Sequence, residues 1–322
     1  MKPHEQIPLD QIYAARGRIK DCVVRSPLLP LNLESTPAKI YLKLENLQPI
    51  NSFKLRGASN AIAVAPKEQL ACGVYTASAG NAAQGLGWNA WRLGLPCTIV
   101  VPDTAPQNKL EAIKRLGAKI LKVSYSEWWQ VRIDHGYAPL KGQLYVDPAS
   151  DSAVMAGNGT IGLEILEDLP DVDAVVIPWG SGGLSCGIAS AVRALKPDTR
   201  IYACEVTTAA PLAASFAAGR PAAVEYLPSF VDGIGAKGVL EEMWPLASSL
   251  LEGSLVMTLA EVAAAIRLLV ERNRIVAEGA GATPVAAALA GKAGEGKVVC
   301  VVSGGNIDSE KLVAILQGQV PD

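Results

Sequence analysis

Asn51-Ser52-Phe53-Lys54-Leu55-Arg56-Gly57 is the stretch from which the rest of the chain is read. It is polar and basic, and it opens an amphipathic segment over 53–64. The apolar positions Phe53, Leu55, Ala58, Ala61, Ile62 and Val64 follow helical spacing. Asn51 and Ser52 stand where N-caps belong. Lys54 then falls in a first helical turn, where the positive end of the helix dipole disfavours an ammonium group. A lysine held there and desolvated gives up its proton and becomes a nucleophilic amine. Taken alone, the stretch reads more simply as a solvated surface lysine. Three other stretches change that reading.

Working outward, 9–23 has helical spacing with Asp10 near its start, and Pro27 and Pro30 then break helix. Residues 39–45 alternate Ile40, Leu42 and Leu44 against Tyr41, Lys43 and Glu45, the pattern of a half-buried strand. Beyond Lys54 the chain alternates strand and helix: strands at 73–76, 97–101, 119–123 and 144–146, with helices at 82–93 and 106–116 and one capped by Ser124 and Glu127. That predicts a parallel sheet covered on both faces. The alternation resumes with a helix at 153–166, strands at 174–177, 201–204 and 298–302, and helices at 184–195, 258–272 and 284–289, while 212–229 is less regular.

The first of the three stretches is Gly180-Ser181-Gly182-Gly183-Leu184-Ser185-Cys186-Gly187, a glycine-rich turn between a strand and a helix. Its backbone N–H groups at a helix start suit a phosphate. A tight turn with no ligand fits equally. A dinucleotide fingerprint lacks its last glycine, with Ser185 in that place, although Glu205 stands where its acidic residue belongs. The second is Ser78-Ala79-Gly80-Asn81, another strand-to-helix junction able to hold a carboxylate, or an ordinary N-cap. The third is Ser303-Gly304-Gly305-Asn306, ending the last apolar strand, where ligands of open parallel sheets bind. Ser303 there could hydrogen-bond a heteroaromatic nitrogen; read alone, the stretch is just a turn.

Composition narrows the classes. The chain has 322 residues, 50% hydrophobic and 19% charged, with a formal net charge of -2. That suits one large α/β unit or two subdomains. It gives no sign of nucleic acid or an anionic membrane as partner. Cys22, Cys72, Cys97, Cys186, Cys204 and Cys300 form no CxxC pair and read as reduced residues of a cytosolic protein. With only His4 and His135, a histidine zinc site or a His-dependent triad is poorly supported. No signal-peptide segment or membrane-spanning run is expected.

In their order and spacing, the Asn-Ser-Phe-Lys-x-Arg-Gly, Ser-Ala-Gly-Asn, Gly-rich and Ser-Gly-Gly-Asn stretches resemble the fold-type II pyridoxal-phosphate enzymes, specifically the serine/threonine dehydratase and serine racemase family. The resemblance covers nearly the whole chain. It implies a two-lobed α/β fold like the tryptophan synthase β-subunit, each lobe a mostly parallel twisted sheet covered by helices. Residues 1–70 and 149–322 would form the large cofactor lobe and 71–148 the small substrate lobe. It implies that Lys54 forms the Schiff base with pyridoxal 5'-phosphate and acts as the catalytic base. Gly180, Ser181, Gly182, Gly183 and Leu184 would cradle the phosphate, Phe53 and 233–235 would flank the ring, Asn81 would contact the ring hydroxyl and Ser303 the pyridine nitrogen. Ser78, Ala79, Gly80 and Asn81 would hold the substrate carboxylate. The implied activity is loss of the β-hydroxyl from threonine or serine to give a 2-oxo acid and ammonia, with the cofactor phosphate as the family's proton donor to the leaving hydroxyl. A homodimer follows from the same resemblance, and the cysteine usage makes a cytoplasmic location the expectation.

Departures from the family sharpen this. Ala79 replaces the second serine of the racemase pattern, which argues against efficient racemisation. Glu205 matches the first acid of the family's cation site, but Pro211 replaces the second, so no metal is expected. The chain ends soon after the catalytic lobe, so a regulatory domain and isoleucine feedback are not expected. Cysteine synthases carry Ser-Val-Lys-Asp-Arg at the lysine, which Ser52-Phe53-Lys54-Leu55-Arg56 does not fit. Trp88, Trp91, Trp128 and Trp129 read as surface-helix and core packing; the other reading is a pocket for phenylserine. Arg132 and His135 read as a solvated helix face; the other reading is recognition of a second carboxylate, as in 3-hydroxyaspartate. The rival of another class is a nucleotide-binding oxidoreductase or ligand-binding module, which leaves the Lys54 and Ser303 stretches unexplained.

Overall fold

Runs such as Val298-Val299-Cys300-Val301-Val302 are apolar at every position, so a strand built from them must be covered on both faces. In the computed structural model, which describes residues 4–322, such runs form two sheets. The strands are β1 (Leu28–Pro30), β2 (Lys39–Leu44), β3 (Val74–Ala77), β4 (Cys97–Pro102), β5 (Lys119–Val123), β6 (Leu144–Tyr145), β7 (Ala174–Pro178), β8 (Arg200–Val206), β9 (Gly253–Met257) and β10 (Lys297–Val302). A six-stranded sheet has the order β1-β2-β10-β7-β8-β9, antiparallel only between β1 and β2. A four-stranded sheet has the order β5-β4-β3-β6 and is parallel throughout.

The helices follow the strands as crossovers. They are α1 (Leu9–Ile19), α2 (Lys54–Val64), α3 (Lys67–Cys72), α4 (Asn81–Leu93), α5 (Gln107–Arg115), α6 (Tyr125–Ile133), α7 (Ser152–Asp168), α8 (Gly183–Leu195), α9 (Pro211–Ala218), α10 (Trp244–Leu250), α11 (Leu259–Leu268), α12 (Gly279–Leu289) and α13 (Ser309–Leu316). Alternate residues of the large sheet feed two cores. Val175, Ile177, Val299 and Val301 pack under α7 and α8. Ala174, Val176, Val298 and Cys300 pack under α11 and α12. The small sheet does the same, with Val74, Ile99 and Val101 on one side and Tyr75, Ala77 and Val100 on the other. None of the helices among the described residues is long and apolar enough to cross a membrane.

The α/β class and both sheets follow the sequence reading; several local expectations do not. Lys43 and Glu45 are fully buried rather than on the wet side of a half-buried strand. Alternation misleads there because these charges face each other's partners inside the protein. Helix α2 starts at Lys54, with Phe53 as N-cap and no side-chain cap. Asn51 instead takes a left-handed conformation and Ser52 bridges to Gly304. The α2 entry is thus fixed by tertiary pairing and not by a capping side chain. Helix α12 begins at Gly279, ahead of its predicted start, because a Gly/Ala run carries little periodic signal. It contains Pro284. Elements α3, α10, β9 and α13 were not anticipated, and α9 occupies part of the irregular stretch.

Candidate active site

The C-terminal end of β10 delivers residues 303–305 against the start of α2. Phe53 N donates to Ser303 O at 3.0 Å and Gly305 N to Asn51 O at 2.9 Å. Lys54 leaves this junction partly buried, its Nζ 4.9 Å from the Phe53 ring centroid and 3.5 Å from Pro148 O. Thr76, Ala82, Val146, Asn158 and the stem of Lys54 line one small cavity. Burial, and then the charge of Arg132, pull the Lys54 amine down to about 8; Asp147 and Glu278 act in the other direction. A neutral amine is therefore accessible near physiological pH. The solvated-lysine reading is set aside.

Pro148 also links Lys54 to the glycine-rich turn. A Cβ on Gly183 would lie 3.0 Å from Pro148 O and 2.8 Å from Ala149 O. Gly182 is the N-cap of α8 in a left-handed conformation, φ 101°, and no side chain caps the helix. Its missing Cβ leaves room that Trp179 and Met243 bound at 2.8 Å. Unclaimed amides at the positive end of a 13-residue helix are an anion-binding arrangement. Gly180 faces the Gly233 carbonyl, so 233–235 does flank this turn. Leu184 is buried beside it in the large-sheet core.

Residues 78–81 approach from the small sheet. Ser78 Oγ accepts from Gly80 N, and Gly80 starts α4 without a side-chain cap. Ala79 is partly buried. Asn81 Nδ2 donates to Glu278 Oε1 at 2.9 Å and Oε2 at 3.1 Å, while its Oδ1 accepts from Asn306 Nδ2 at 2.8 Å. Burial pushes the Glu278 carboxyl up to about 7, with the Asn81 bond opposing. Lys54, residues 78–81, 180–184 and 303–306 are thus brought to one place. Glu278 was missed in the sequence. Its only signal was a lone acidic residue before the Gly/Ala run that opens a buried helix.

Beneath the site, Arg56 closes a buried charge cluster. Its Nε and Nη2 donate to both Glu45 oxygens at 2.8 Å, and Nη1 and Nη2 donate to Glu164 at 2.7 and 2.9 Å. Lys43 Nζ completes it, 2.6 Å from both Glu164 Oε2 and Ser26 O. Two cations and two carboxylates balance, which is what makes burial of all four tolerable. The cluster ties β2 and α7 to the turn of α2 that carries Lys54.

Two further expectations are corrected. His135 and Arg132 are not on a solvated helix face. His135 Nδ1 lies 2.7 Å from Asp147 Oδ2 and its Nε2 3.6 Å from Glu242. Arg132 is partly buried against Trp128 and Trp129. Glu205 accepts from Leu212 N, Ala213 N and Ser254 Oγ and so caps α9. Its carboxylate thus serves the fold, where the dinucleotide reading would have it meet a ribose.

Known proteins resemble the chain over nearly its whole length. The family described as "Pyridoxal-phosphate dependent enzyme" matches residues 19–304. An L-threonine ammonia-lyase from Geobacter sulfurreducens is 38% identical over 321 residues, covering 97% of this chain and 78% of that protein. The processed form of threonine deaminase isoform 2 from Solanum lycopersicum superposes with a TM-score of 0.86 at 31% identity, covering 99% of this chain and 93% of that one. Maize serine racemase gives 0.85 at 30% identity, covering 97% and 98%.

Proposed function

The chain belongs to the pyridoxal-phosphate dependent enzymes, and from that membership we propose that it is an ammonia-lyase that removes the β-hydroxyl of a small hydroxy amino acid, threonine or serine, releasing a 2-oxo acid and ammonia. The observation that carries the reading is Lys54: a partly buried amine brought down to about 8, joined through Pro148 to an uncapped glycine turn. The relatives named above point to the same substrates.

The residues fit the cofactor. Thr76 Oγ1 and Asn158 Oδ1, beside Lys54, are buried without a hydrogen-bond partner among the described residues. The Gly182–Gly183 backbone would be blocked by any side chain. Lys54 would hold the cofactor covalently, residues 180–184 its phosphate, Ser303 its ring nitrogen, Asn81 its ring hydroxyl and Phe53 its ring face. When bound, pyridoxal phosphate supplies the electron sink that acidifies the substrate Cα–H. Lys54 Nζ, once freed by the substrate amine, would be the base placed to take that proton. The α4 amides at 78–81 hold the substrate α-carboxylate. Glu278 and Asn306 fix the Asn81 amide from both ends. Ala79 carries no proton donor for the opposite face, which favours elimination over racemisation.

Residues 71–148 would act as a small lobe that closes on the remainder, and the enzyme would work as a homodimer in the cytoplasm. The test is direct. Purified protein supplied with pyridoxal phosphate is incubated with threonine and with serine, and 2-oxo acid and ammonia are measured together. Equal release of both supports the reading; a yellow protein that releases neither from threonine, serine or any other β-hydroxy amino acid refutes it.

Two expectations follow for the cofactor. Gly182→Ala forces a side chain into a left-handed residue and against Trp179 and Met243. Affinity for pyridoxal phosphate, titrated by absorbance, should fall by about tenfold or more, on the order of 1.4 kcal/mol. The rate of cofactor uptake by apoprotein should rise with pH, because only the neutral amine attacks an aldehyde. With the amine at about 8, the rate climbs nearly tenfold per unit below that value and levels above it. A rate independent of pH from about 6.5 to 9 would contradict the lowered amine.

A further inference from the structure

Arg132, in the last turn of α6, is partly buried, and its guanidinium has neither a hydrogen-bond acceptor nor a carboxylate among the described residues. Its recorded contacts are aromatic: it lies 5.2 Å from the ring centroids of both Trp128 and Trp129. Such stacking fixes the plane of a guanidinium without neutralising its charge. Trp128 and Tyr145 both pack against the buried cluster of Tyr75, Ala77, Val100, Val123 and Val131. Trp128 Nε1 and Tyr145 Oη are themselves buried with no partner among the described residues. Burial pushes the Tyr145 phenol up, so it keeps its proton and can donate at neutral pH. Three donors thus share one neighbourhood without an acceptor. Buried donors are rarely left so.

That neighbourhood borders the site. Ala77 directly precedes the 78–81 turn, and Tyr145 pairs with Tyr75 across β3 and β6. The charge of Arg132 is felt at both Lys54 and Tyr145. Asp147 is nearby but committed to His135, Ser150 and the Ala149 amide. The substrate α-carboxylate already has the 78–81 amides. The acceptor for Arg132 is therefore left to a group outside the described residues.

We propose that Arg132, with the Trp128 indole N–H and the Tyr145 hydroxyl, binds a second carboxylate on the substrate side chain, so that the preferred substrate is an acidic β-hydroxy amino acid of the 3-hydroxyaspartate class. This rests on the ammonia-lyase reading and changes its preferred substrate from threonine or serine to an acidic β-hydroxy amino acid. A carboxylate can take two parallel N–H bonds from the guanidinium. The methyl group of threonine leaves all three donors unpaired, which is the strongest basis for discrimination that a site has. The reaction balances without an oxidant. Loss of the Cα proton and the β-hydroxyl releases one water; the enamine product tautomerises, takes up one water and releases ammonia, leaving 2-oxosuccinate.

The test uses the holoenzyme and begins with binding, which needs no turnover. Succinate and butyrate share a four-carbon skeleton and differ by one carboxylate. Wild type should bind succinate at least about tenfold more tightly by calorimetry, a difference of about 1.4 kcal/mol. Arg132→Met should abolish that preference, with Arg132→Lys intermediate. Equal binding of the two acids by wild type, or a preference untouched in Arg132→Met, overturns the proposal. If the methionine variant does not fold, the lysine variant and Tyr145→Phe supply the comparison. In turnover, the ratio of kcat/KM for 3-hydroxyaspartate over threonine should exceed one in wild type and fall at least about thirtyfold in the variant. O-Phosphoserine is the control for a phosphate source; if it outcompetes 3-hydroxyaspartate, the carboxylate assignment fails. A succinate preference that depends on Arg132, in an enzyme that releases no 2-oxo acid from any β-hydroxy amino acid, would remove the ammonia-lyase reading and leave the second-anion site standing.

Discussion

Lys54→Ala protein should be folded, should lose the visible band that borohydride abolishes in wild type, and should turn over its substrate about ten-thousandfold more slowly or worse. The size follows from two losses at one atom: covalent attachment of the cofactor and removal of the Cα proton. No neighbour can substitute. The Arg132 guanidinium does not deprotonate in proteins, and Lys43 is held in the buried cluster below α2. Stability of the apoprotein should change little. The substitution deletes a partly desolvated ammonium and introduces the best helix former in the first turn of α2. Turnover within about tenfold of wild type, measured as 2-oxo acid release, would end the assignment of Lys54.

Arg56→Met should carry the largest cost in stability. Arg56 and Lys43 together balance Glu45 and Glu164, and all four are buried. Glu45 and Glu164 hold the guanidinium above its ordinary value despite burial, so the ion pairs win over desolvation. Removing Arg56 leaves two buried carboxylates with one lysine. Breaking such a pair costs about 3–5 kcal/mol, a large part of the ~5–15 kcal/mol typical of a folded domain. Denaturant unfolding of the apoprotein reads it out. A loss below about 1 kcal/mol would show that the cluster is not under this strain. The double variant Arg56→Met with Glu45→Met removes one charge of each sign and should recover part of the loss. Because α2 carries Lys54, the single variant should also reduce turnover in whatever fraction stays folded.

The fold was legible where a run is uniformly apolar or carries a strong terminus. The strands at 97–102 and 297–302 and the capping box of Thr258 with Glu261 are examples. It was illegible where small residues make a helix through close packing. In α12, Gly281 sits so near residues 303–304 that a Cβ would lie 2.6 Å from Gly304 O. That constraint involves two distant segments and leaves no periodic trace in either. The site divides the same way. Its glycine turns and Lys54 were readable because their chemistry is local. Glu278 and Asp147 were not, and Arg132 was legible only as the second of two readings, because each acts through what folding brings beside it. Lys43 and Glu45 show the converse: a clean alternation placed both in water, while a partner more than a hundred positions away, Glu164 for Lys43, draws the lysine inside.

The position of β10 has a consequence for how the protein is made. It is the last strand to leave the ribosome, yet it belongs between β2 and β7 in the middle of the six-stranded sheet. Asn306, just beyond it, bonds to Ile50, 256 residues earlier. At roughly 5–20 residues per second, tens of seconds separate the synthesis of the two. Throughout that interval the nascent chain carries two apolar strands with unpaired backbone edges facing a gap, the kind of surface that recruits neighbouring chains. A ribosome that stalls before Val302 leaves a chain with its largest sheet split in two.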